Sequence, residues 1–383
     1  MAVINRIAGF ADDMTAWRRH LHQNPELGLD CYDTAQFVVA RLREMGVDEI
    51  HEGIARTGIV AVINGQGPGP VTGLRADMDA LPIQEATGAS WASTRPGKMH
   101  ACGHDGHTAM LLGAARYLAE TRNFKGRAVL IFQPAEETIG GGRIMVEEGM
   151  MDRFGIEEVY AIHTDPFAAA GQLRTCEGPI MAGVEDWRIT VKGVGGHAAY
   201  PHATRDPIPA ALAIGQALMA IPARESDTFE PLVVSMTTIN AGEATNVIPD
   251  TATLTGTVRS FNDEQMARTL KRIQQIAAQV ADGYGVAAHT EFVLGYPATV
   301  NHAAQARYAA KVAREISADV LDTLTPEMGA EDFSFMLQSR PGAFLFLGQG
   351  EGPSVHHPEF DFNDAVAPVG ASYLARLVER RGQ

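Results

Sequence analysis

Two short segments place metal-binding side chains close together in the sequence. Residues 99–107 contain Cys102 and His104, and Glu136 is followed directly by Glu137. Cysteine, histidine and glutamate are the side chains that hold zinc-like metals in proteins. The Cys102-x-His104 spacing lets one loop supply two ligands, with Cys102 binding as a thiolate because coordination removes the thiol proton. These residues make a metal site one hypothesis for the chain.

The adjacent glutamates suggest a division of labour. Two neighbouring carboxylates cannot easily face one metal, so one would bind while the other acts as a general base. Asp77 lies where a carboxylate could orient a ligating histidine. Each residue also has a structural interpretation, since a lone cysteine is often a buried hydrophobe and a glutamate pair is often solvated. Without a CxxC or HExxH pattern, the residues alone leave both interpretations open.

The segments around these residues alternate between strands and helices. Buried strands are predicted at 59–63, 71–74, 128–132, 159–162 and 343–347, and helices at 13–22, 33–46 and 108–120. This alternation favours an α/β sheet covered on both faces. Ligands of such sheets bind beyond the carboxyl ends of the strands. Asp77, Glu136, His163 and His356 each follow or end a predicted strand, so a parallel sheet would bring them to one edge.

The middle of the chain follows a different pattern. Strands are predicted at 187–192, 232–239, 251–259 and 287–293, and helices at 207–221 and 263–284. The order β-α-β-β-α-β is that of a ferredoxin-like unit. We therefore predict an inserted α+β domain at 184–293 and a first domain built from 1–183 and 294–383. Exposed strand edges of the insertion need cover, and pairing of two such edges would give a C2 dimer, with a tetramer also compatible.

Composition and charge exclude several classes of protein. The 383 residues carry a formal net charge of −15, which argues against a nucleic-acid partner or an anionic membrane surface. An anionic substrate would need a local cationic pocket. The chain has no apolar run long enough to span a bilayer, its first residues lack the apolar stretch of a signal peptide, and its three cysteines make no disulfide framework. A cytoplasmic location is the expectation.

Seven runs of the sequence carry a family resemblance. They are LRADMDALP (74–82), GKMHACGHDGHTAM (97–110), FQPAEE (132–137), GGHAAYPH (195–202), TNVIPD (245–250), GTVRSF (256–261) and GAEDFS (329–334). These runs resemble the M20 metallopeptidase family. They are most similar to its amidohydrolase branch, which contains hippurate hydrolases, N-acyl-L-amino acid amidohydrolases and auxin-conjugate hydrolases. The similarity extends over nearly the entire chain, in the family's order.

The resemblance implies a mixed-sheet catalytic domain that holds two divalent metal ions, with the inserted domain as lid and dimerisation domain. The implied metal ligands are Cys102, His104, Glu137, His163 and His356. Glu136 matches the general base, and Asp77 matches the carboxylate that orients a ligating histidine. His197 matches a residue that polarises the scissile carbonyl, commonly from the partner subunit. Asn246 and Arg259 match positions that hold the substrate's carboxylate or the developing oxyanion.

One departure from the wider family affects the metal. Most members carry a His-x-Asp ligand motif where this chain has Arg75-Ala76-Asp77, and arginine cannot bind a metal. The Cys102-x-His104 loop supplies the substitute, as in the amidohydrolase branch. Zinc or manganese is expected in such a mixed site, and cobalt or nickel is compatible with it. His357 competes with its neighbour His356, but the family's His-x-Pro pattern favours His356.

The expected function is hydrolysis of the amide bond of small N-acyl amino acids, either hippurate-like or N-acetylated. Within the same class, the alternative is deacetylation of N-acetyldiaminopimelate or a related intermediate. Two alternatives belong to other classes of protein. One is a cysteine hydrolase with Cys102 as nucleophile, and the other is a catalytically inactive binding or regulatory protein of the same fold. The inactive protein is disfavoured because every ligand and base position is filled.

Overall fold

A computed structural model describes residues 2–382, which separate into two compact units. The first unit contains residues 2–180, 300–326 and 332–382, and the second, which we call the inserted unit, contains Met181–Thr299 and Glu327–Glu331. None of the helices within residues 2–382 has the length and apolarity needed to cross a membrane.

The strands and helices of the described residues are numbered in chain order. The strands are β1 Glu49–Ile54, β2 Gly58–Asn64, β3 Val71–Asp77, β4 Arg127–Gln133, β5 Glu158–Asp165, β6 Leu173–Arg174, β7 Gly178–Met181, β8 Gly183–Lys192, β9 Gly196–His197, β10 Leu232–Ala241, β11 Val247–Ile248, β12 Thr251–Ser260, β13 Ala287–Tyr296, β14 Thr299–Asn301, β15 Val320–Leu321 and β16 Gly342–Gly348. The helices are α1 Asn5–Ala8, α2 Ala11–Gln23, α3 Tyr32–Glu44, α4 His104–Thr121, α5 Gly141–Glu147, α6 Met150–Arg153, α7 Pro207–Met219, α8 Ile221–Arg224, α9 Asp263–Gly283, α10 Ala303–Ile316, α11 Phe333–Ser339 and α12 Ala367–Arg381.

The first unit is built on a mixed sheet with the strand order β1-β2-β4-β3-β5-β16-β6-β15. Its four central strands, β4, β3, β5 and β16, are adjacent and parallel, whereas β1 and β2 are joined antiparallel at one side. All residues of β3 and of β16 are buried, as expected for parallel strands covered on both faces. The predicted α/β class is therefore confirmed, and the strands expected to carry the site end at one edge.

Three elements extend beyond their predicted ends, and this matters for the site. Strand β3 was predicted to end at residue 74 and continues to Asp77, and β5 continues past residue 162 to Asp165. Helix α4 begins at His104, four residues before its predicted start. The residue before it, Gly103, has φ +86°, and a Cβ there would lie 2.7 Å from Thr164 Cγ2. A glycine is thus needed where the chain turns into the helix.

The inserted unit has an antiparallel sheet with the order β10-β12-β8-β13. Along the chain its main elements run β8, α7, β10, β12, α9 and β13, which is the predicted β-α-β-β-α-β order. Every second residue of β12 is buried, so the sheet packs one face on a core that includes Trp187 and Leu254 together with side chains of α7 and α9. Gly256 leaves room for Trp187, since a Cβ there would lie 2.2 Å from the indole. A lid or dimerisation role for this unit stays a prediction.

Candidate functional site

The carboxyl edge of the central strands brings the five predicted metal ligands together. One ligand atom each from Cys102, His104 and Glu137 lies within 4.8 Å of the others. Cys102 Sγ is 3.4 Å from His163 Nε2, and His356 Nε2 is 3.2 Å from Glu137 Oε1. Cys102 lies two residues before α4 and His104 is the first residue of that helix. Glu137 lies in the loop after β4, His163 is on β5, and His356 lies in the loop after β16.

Hydrogen bonds to backbone carbonyls orient two of the imidazoles. Nδ1 of His104 lies 2.8 Å from the carbonyl oxygen of Asp79, and Nδ1 of His163 lies 2.7 Å from that of Thr164. A carbonyl oxygen only accepts, so each Nδ1 carries a hydrogen, and in the neutral ring that binds a metal each Nε2 has the free lone pair. This is the arrangement in which metal-binding histidines are usually held.

The buried polar atoms of the cluster fit a divalent cation. His104 is 1% exposed, and its Nε2 has no hydrogen-bond partner among the described residues. Buried polar atoms rarely lack a partner, and a metal ion bound to Nε2 would provide one. Thiolate, imidazole and carboxylate donors together match zinc-like metals.

The charge around these atoms also favours a cation. Burial lowers the pKa of His104, but the carboxylates of Asp77, Asp79 and Glu137 outweigh it and raise that pKa to about 10. Burial and the carboxylates of Glu137 and Glu136 raise the pKa of the Cys102 thiol. The cluster therefore has an excess of negative groups, which a bound divalent cation would offset.

Asp79, which sequence reasoning did not single out, holds the two adjacent glutamates. Its Oδ1 accepts a hydrogen bond from the backbone N–H of Glu136 at 2.9 Å, and its Oδ2 accepts one from that of Glu137 at 3.1 Å. Its backbone carbonyl also holds His104. One buried carboxylate thus fixes the predicted base and one predicted ligand. The alternation Asp77-x-Asp79 at the end of β3 was the available signal.

Asp77 contacts His107, a second residue that the sequence analysis missed. Asp77 Oδ1 is 2.6 Å from His107 Nδ1, and His107 Nε2 accepts a hydrogen bond from the Thr164 N–H at 2.9 Å. Since Nε2 is already an acceptor there, His107 positions the end of β5 beside His163. Asp77 Oδ2 also lies 3.6 Å from His104 Nε2. The signal for His107 was its place three residues after His104, on the same face of a helix.

A buried arginine, Arg75, donates a hydrogen bond to Asp77. Arg75 Nη1 donates to Asp77 Oδ2 at 2.7 Å, Nη2 to Asp332 Oδ1 at 2.9 Å, and Nε to Gln133 Oε1 at 2.9 Å. Gln133 Nε2 in turn donates to Asp332, as does the N–H of Gly142. Arg75 is 1% exposed and both carboxylates are fully buried. A permanent positive charge thus lies between the buried carboxylates of Asp77 and Asp332 and offsets part of their negative charge.

Two residues of the site hold a backbone conformation that favours glycine. Ala135, just before Glu136, has φ +59°, and His356 has φ +65°. The carbonyl of Ala135 accepts hydrogen bonds from the N–H groups of Gly140 and Gly141, and the N–H of His356 donates to the carbonyl of Ala101 at 2.7 Å. Positive φ at non-glycine residues is uncommon and persists where surrounding contacts enforce it. These contacts hold the Glu136 loop and tie His356 to the Cys102 segment.

The neighbouring histidines 356 and 357 have different surroundings. His356 Nε2 faces Glu137, whereas His357 Nδ1 accepts a hydrogen bond from the N–H of Glu359 at 3.1 Å. The geometry therefore supports the choice of His356 that the His-x-Pro pattern suggested.

The inserted unit carries the other three predicted residues, and it places two of them together and apart from the third. His197 and Asn246 are neighbours, because the Ala198 N–H donates to the Asn246 carbonyl and His197 pairs with Val247 across β9 and β11. Arg259 instead pairs with Val184 at the start of β8, at the other end of the sheet from Lys192. The eight residue steps from Val184 to Lys192, after which the chain continues to His197, span about 26 Å at about 3.3 Å per residue.

The tautomer of His197 follows from its contacts. The backbone N–H of Ala199 donates to His197 Nδ1 at 3.0 Å. Nδ1 is therefore an acceptor, and the neutral ring carries its hydrogen on Nε2. The side chain is exposed, so Nε2–H is available to donate to a ligand. Arg259 is half-buried and has no ion-pair partner among the described residues.

A buried histidine behind helix α4 predicts a pH dependence of stability. His22 Nδ1 lies 2.8 Å from Asp105 Oδ2, and Nε2 lies 3.3 Å from Glu85 Oε1. Burial lowers the pKa of His22, but hydrogen bonds with Asp105 and Glu85 outweigh it and raise the pKa to about 9. Because this pKa is raised above the unfolded value of about 6.5, the protonated ring stabilises the fold fully below pH 6.5 and loses that effect as the pH rises through 9.

We therefore expect the free energy of unfolding to fall between pH 6.5 and 9.5, and to fall less in a His22→Gln variant. Urea unfolding of both proteins at three pH values within that range measures the difference. His289→Gln, which changes an imidazole whose side chain is 77% exposed, serves as the control. Equal pH slopes for the wild type and His22→Gln would contradict the assignment.

A buried cluster of thiol, imidazole and carboxylate groups beside a glutamate pair, at the carboxyl edge of a mixed α/β sheet, defines a metal-dependent hydrolase. The model of peptidase family M20/M25/M40 matches residues 73–380. The chain belongs to this family, and the similarity to its amidohydrolase branch is confirmed by the relatives described next.

Two relatives and one solved structure indicate the kind of enzyme. A hippurate hydrolase of Campylobacter jejuni is 37% identical over 98% of each chain. An N-acetyl-L-cysteine deacetylase of Bacillus subtilis is 39% identical over 93% of this chain and 85% of its own. The crystal structure of the Bacillus subtilis YXEP protein, described as a dinuclear metal-binding peptidase of the M20 family, is 33% identical, with a TM-score of 0.85 over 98% of this chain and 99% of its own. The chain is a metal-dependent amidohydrolase that uses a divalent metal cofactor.

Proposed function

We propose that this protein hydrolyses the amide bond of small N-acyl amino acids, with Glu136 as the general base. The observation that carries the proposal is the convergence of Cys102, His104 and Glu137 with the rings of His163 and His356 at one edge of the sheet. Two relatives are named hippurate hydrolase and N-acetyl-L-cysteine deacetylase. Both names refer to substrates that have an acylated amino group and a carboxylate, and this supports the same substrate class for the present chain.

The five side chains would hold two divalent cations per subunit. Zinc and manganese fit the mixture of thiolate, imidazole and carboxylate, and cobalt or nickel fits it as well. The Bacillus subtilis structure is described as a dinuclear metal-binding peptidase, which supports two cations per subunit here. When bound, the cations would lower the pKa of a water molecule from about 15.7 towards neutrality.

The residues around the cations supply the proton transfers. Glu136 is 7% exposed, and Asp79 holds its backbone beside that of Glu137. Its carboxylate takes the proton of the water that attacks the amide carbon and then delivers it to the departing nitrogen. His197 Nε2–H, with Asn246 beside it, donates to the oxygen of the scissile carbonyl as negative charge develops there. Arg259 binds the substrate's carboxylate.

We infer that this arrangement needs residues from two subunits. Within the inserted unit, Arg259 pairs with Val184 at the start of β8, whereas His197 follows the other end of β8, and the two ends of this strand are about 26 Å apart. That separation supports a site in which a small N-acyl amino acid contacts Arg259 of one subunit and His197 of the other. We therefore propose that His197 and Asn246 of one subunit complete the site of its partner, in a homodimer.

The edge of the inserted sheet offers the dimer contact. Strand β10 is an edge strand, and Ile239 on it is 40% exposed. On α7, Leu212 and Met219 are seven residues apart and therefore on one face, and they are 55% and 48% exposed. Unpaired strand edges and exposed apolar side chains need cover, and a second copy of the same surface provides both.

Sharing of the site predicts rescue between inactive subunits. His197→Ala and Glu136→Gln homodimers should each be nearly inactive. Mixed after mild dissociation, they should recover up to about one quarter of wild-type activity, because each heterodimer has one site with both native residues. Activity of the mixture against subunit ratio measures this. A mixture no more active than its parents would contradict sharing, provided that mass spectrometry detects the heterodimers.

The substrate class is tested by hydrolysis with added zinc, manganese, cobalt or nickel. N-acetyl, N-benzoyl and long-chain acyl amino acids, with N-acetyldiaminopimelate as a further substrate, are compared by kcat/KM. Activity should be lost with EDTA and return with cation, and metal analysis should find two cations per subunit. Activity that survives EDTA and is abolished by iodoacetamide would instead indicate a cysteine nucleophile, and no hydrolysis with metal bound would indicate a binding protein.

A further inference from the structure

An exposed apolar surface surrounds His197 in the inserted unit. Val247 pairs directly with His197 across β9 and β11, and its side chain is 51% exposed. Directly opposite residues in an antiparallel pair project from the same face, with Cβ atoms about 4.5–5.5 Å apart. The ring of Tyr200 lies 5.4 Å from the ring of His197 at a tilt of 54°, and Tyr200 is 58% exposed. A phenol ring and an isopropyl group thus flank the imidazole, and all three are open to solvent.

The backbone at Tyr200 is held in a hydrogen-bonded turn. The Tyr200 N–H donates to the His197 carbonyl at 2.9 Å, and the Tyr200 carbonyl accepts from the Ala203 N–H at 3.0 Å. A short 3-10 turn, Pro201–Ala203, follows, and the ring of His202 stands edge-on to that of Tyr200 at 6.2 Å and 89°. These contacts fix the backbone that carries the ring beside His197, which lowers the entropy cost of binding.

The chemistry of the substrate decides which of its parts meets this surface. In the proposed function, on which this inference rests, His197 Nε2–H donates to the carbonyl oxygen of the scissile amide. The acyl substituent is bonded to that carbonyl carbon, so it lies next to the side chains that flank the imidazole. The carboxylate at the other end of the substrate is bound by Arg259, which in the proposed homodimer comes from the other subunit.

We propose that Tyr200 and Val247 form the wall that contacts the acyl group, and that this wall favours flat aromatic acyl groups over acetyl. An aromatic acyl group buries a large apolar area against the phenol ring and gains the offset or edge-to-face contact that aromatic pairs prefer. An acetyl group has a single methyl to place there. Sites of this kind are mainly apolar, with a few polar groups that fix orientation, and His197 is the polar group here.

The test compares kcat/KM for N-benzoylglycine and N-acetylglycine with the metal-loaded enzyme. Tyr200→Ala should lower the benzoyl to acetyl ratio by about tenfold or more, and Val247→Ala by a smaller factor. Tyr200→Phe should keep the ratio, because it keeps the ring. Phe229→Ala, which removes a 93% exposed aromatic side chain elsewhere in the inserted unit, is the matched control and should also keep it.

The outcomes separate the two proposals. An active wild type whose ratio is unchanged in both Tyr200→Ala and Val247→Ala would overturn the acyl wall and leave the proposed function standing. A ratio that falls equally in Phe229→Ala would also overturn it, since any exposed apolar residue would then act alike. A metal-loaded wild type that hydrolyses neither substrate, nor any other N-acyl amino acid, would overturn the proposed function and the acyl wall with it.

Discussion

Replacing Glu136 by Gln should lower kcat by about 10³- to 10⁴-fold while the metal content stays at the wild-type level. The substitution removes the proton-accepting oxygen but keeps the size of the side chain. The backbone hydrogen bond from Glu136 to Asp79 is unchanged by it, so the loop that carries Glu137 stays in place. Steady-state kinetics with a saturating substrate and metal analysis of the same sample measure both quantities.

Glu147→Gln is the matched control for this experiment. Glu147 is also a glutamate of the first unit, but its side chain is 63% exposed on helix α5. This variant should retain wild-type kcat. Turnover within a fewfold of wild type in Glu136→Gln would refute the base assignment, and loss of metal would show that Glu136 is needed for binding as well.

Replacing Arg75 by Met should lower the free energy of unfolding by about 3–5 kcal/mol. The methionine removes the guanidinium that donates to the buried carboxylates of both Asp77 and Asp332. The contact of His107 with Asp77 and the hydrogen bonds from Gln133 and Gly142 to Asp332 remain, but they supply no permanent positive charge. Deleting one partner of a buried ion pair costs more than the pair itself contributes, because an uncompensated charge remains. Urea unfolding of the metal-loaded protein gives the difference.

An exposed ion pair provides the comparison. Arg43 contacts Glu52 with side chains that are 66% and 50% exposed, so Arg43→Met should cost no more than about 1 kcal/mol. Equal losses of stability in the two variants would contradict the assigned role of Arg75. Arg75→Met could also weaken metal binding, because Asp77 contacts His107 and His107 accepts a hydrogen bond from Thr164, the residue after His163. A shift of Asp77 would then move the end of β5 that carries His163.

The sequence predicted the positions of the main strands well and their ends less well. Apolar runs identify the buried middle of β3, but the strand continues to Asp77 because that residue pairs with Gln133 of β4. Such pairing is set by the neighbouring strand and leaves no mark on the local pattern. Helix α4 likewise begins at His104, earlier than the apolar pattern indicates, because the chain turns into the helix at Gly103.

Side-chain contacts across the fold account for what the sequence analysis missed in the site. The five ligands were implied by motifs, but the roles of Asp79 and His107 depend on hydrogen bonds between β3, α4 and the glutamate loop. The distance between His197 and Arg259 depends on the register of β8 with β12. Register and through-space contacts follow from tertiary packing, which one sequence without its fold does not give.

The pairing of β5 with β16 sets an order of events during synthesis on the ribosome. Val159 of β5 lies beside Gly342 of β16, and all strands of the inserted sheet are encoded between them. When β13 has left the ribosome, all four strands of the inserted sheet have been synthesised, whereas β16, the second neighbour of β5, has not. The inserted sheet can therefore form before the first unit is complete. The metal centre, which also requires His356, is then among the last parts of the nascent chain to be completed.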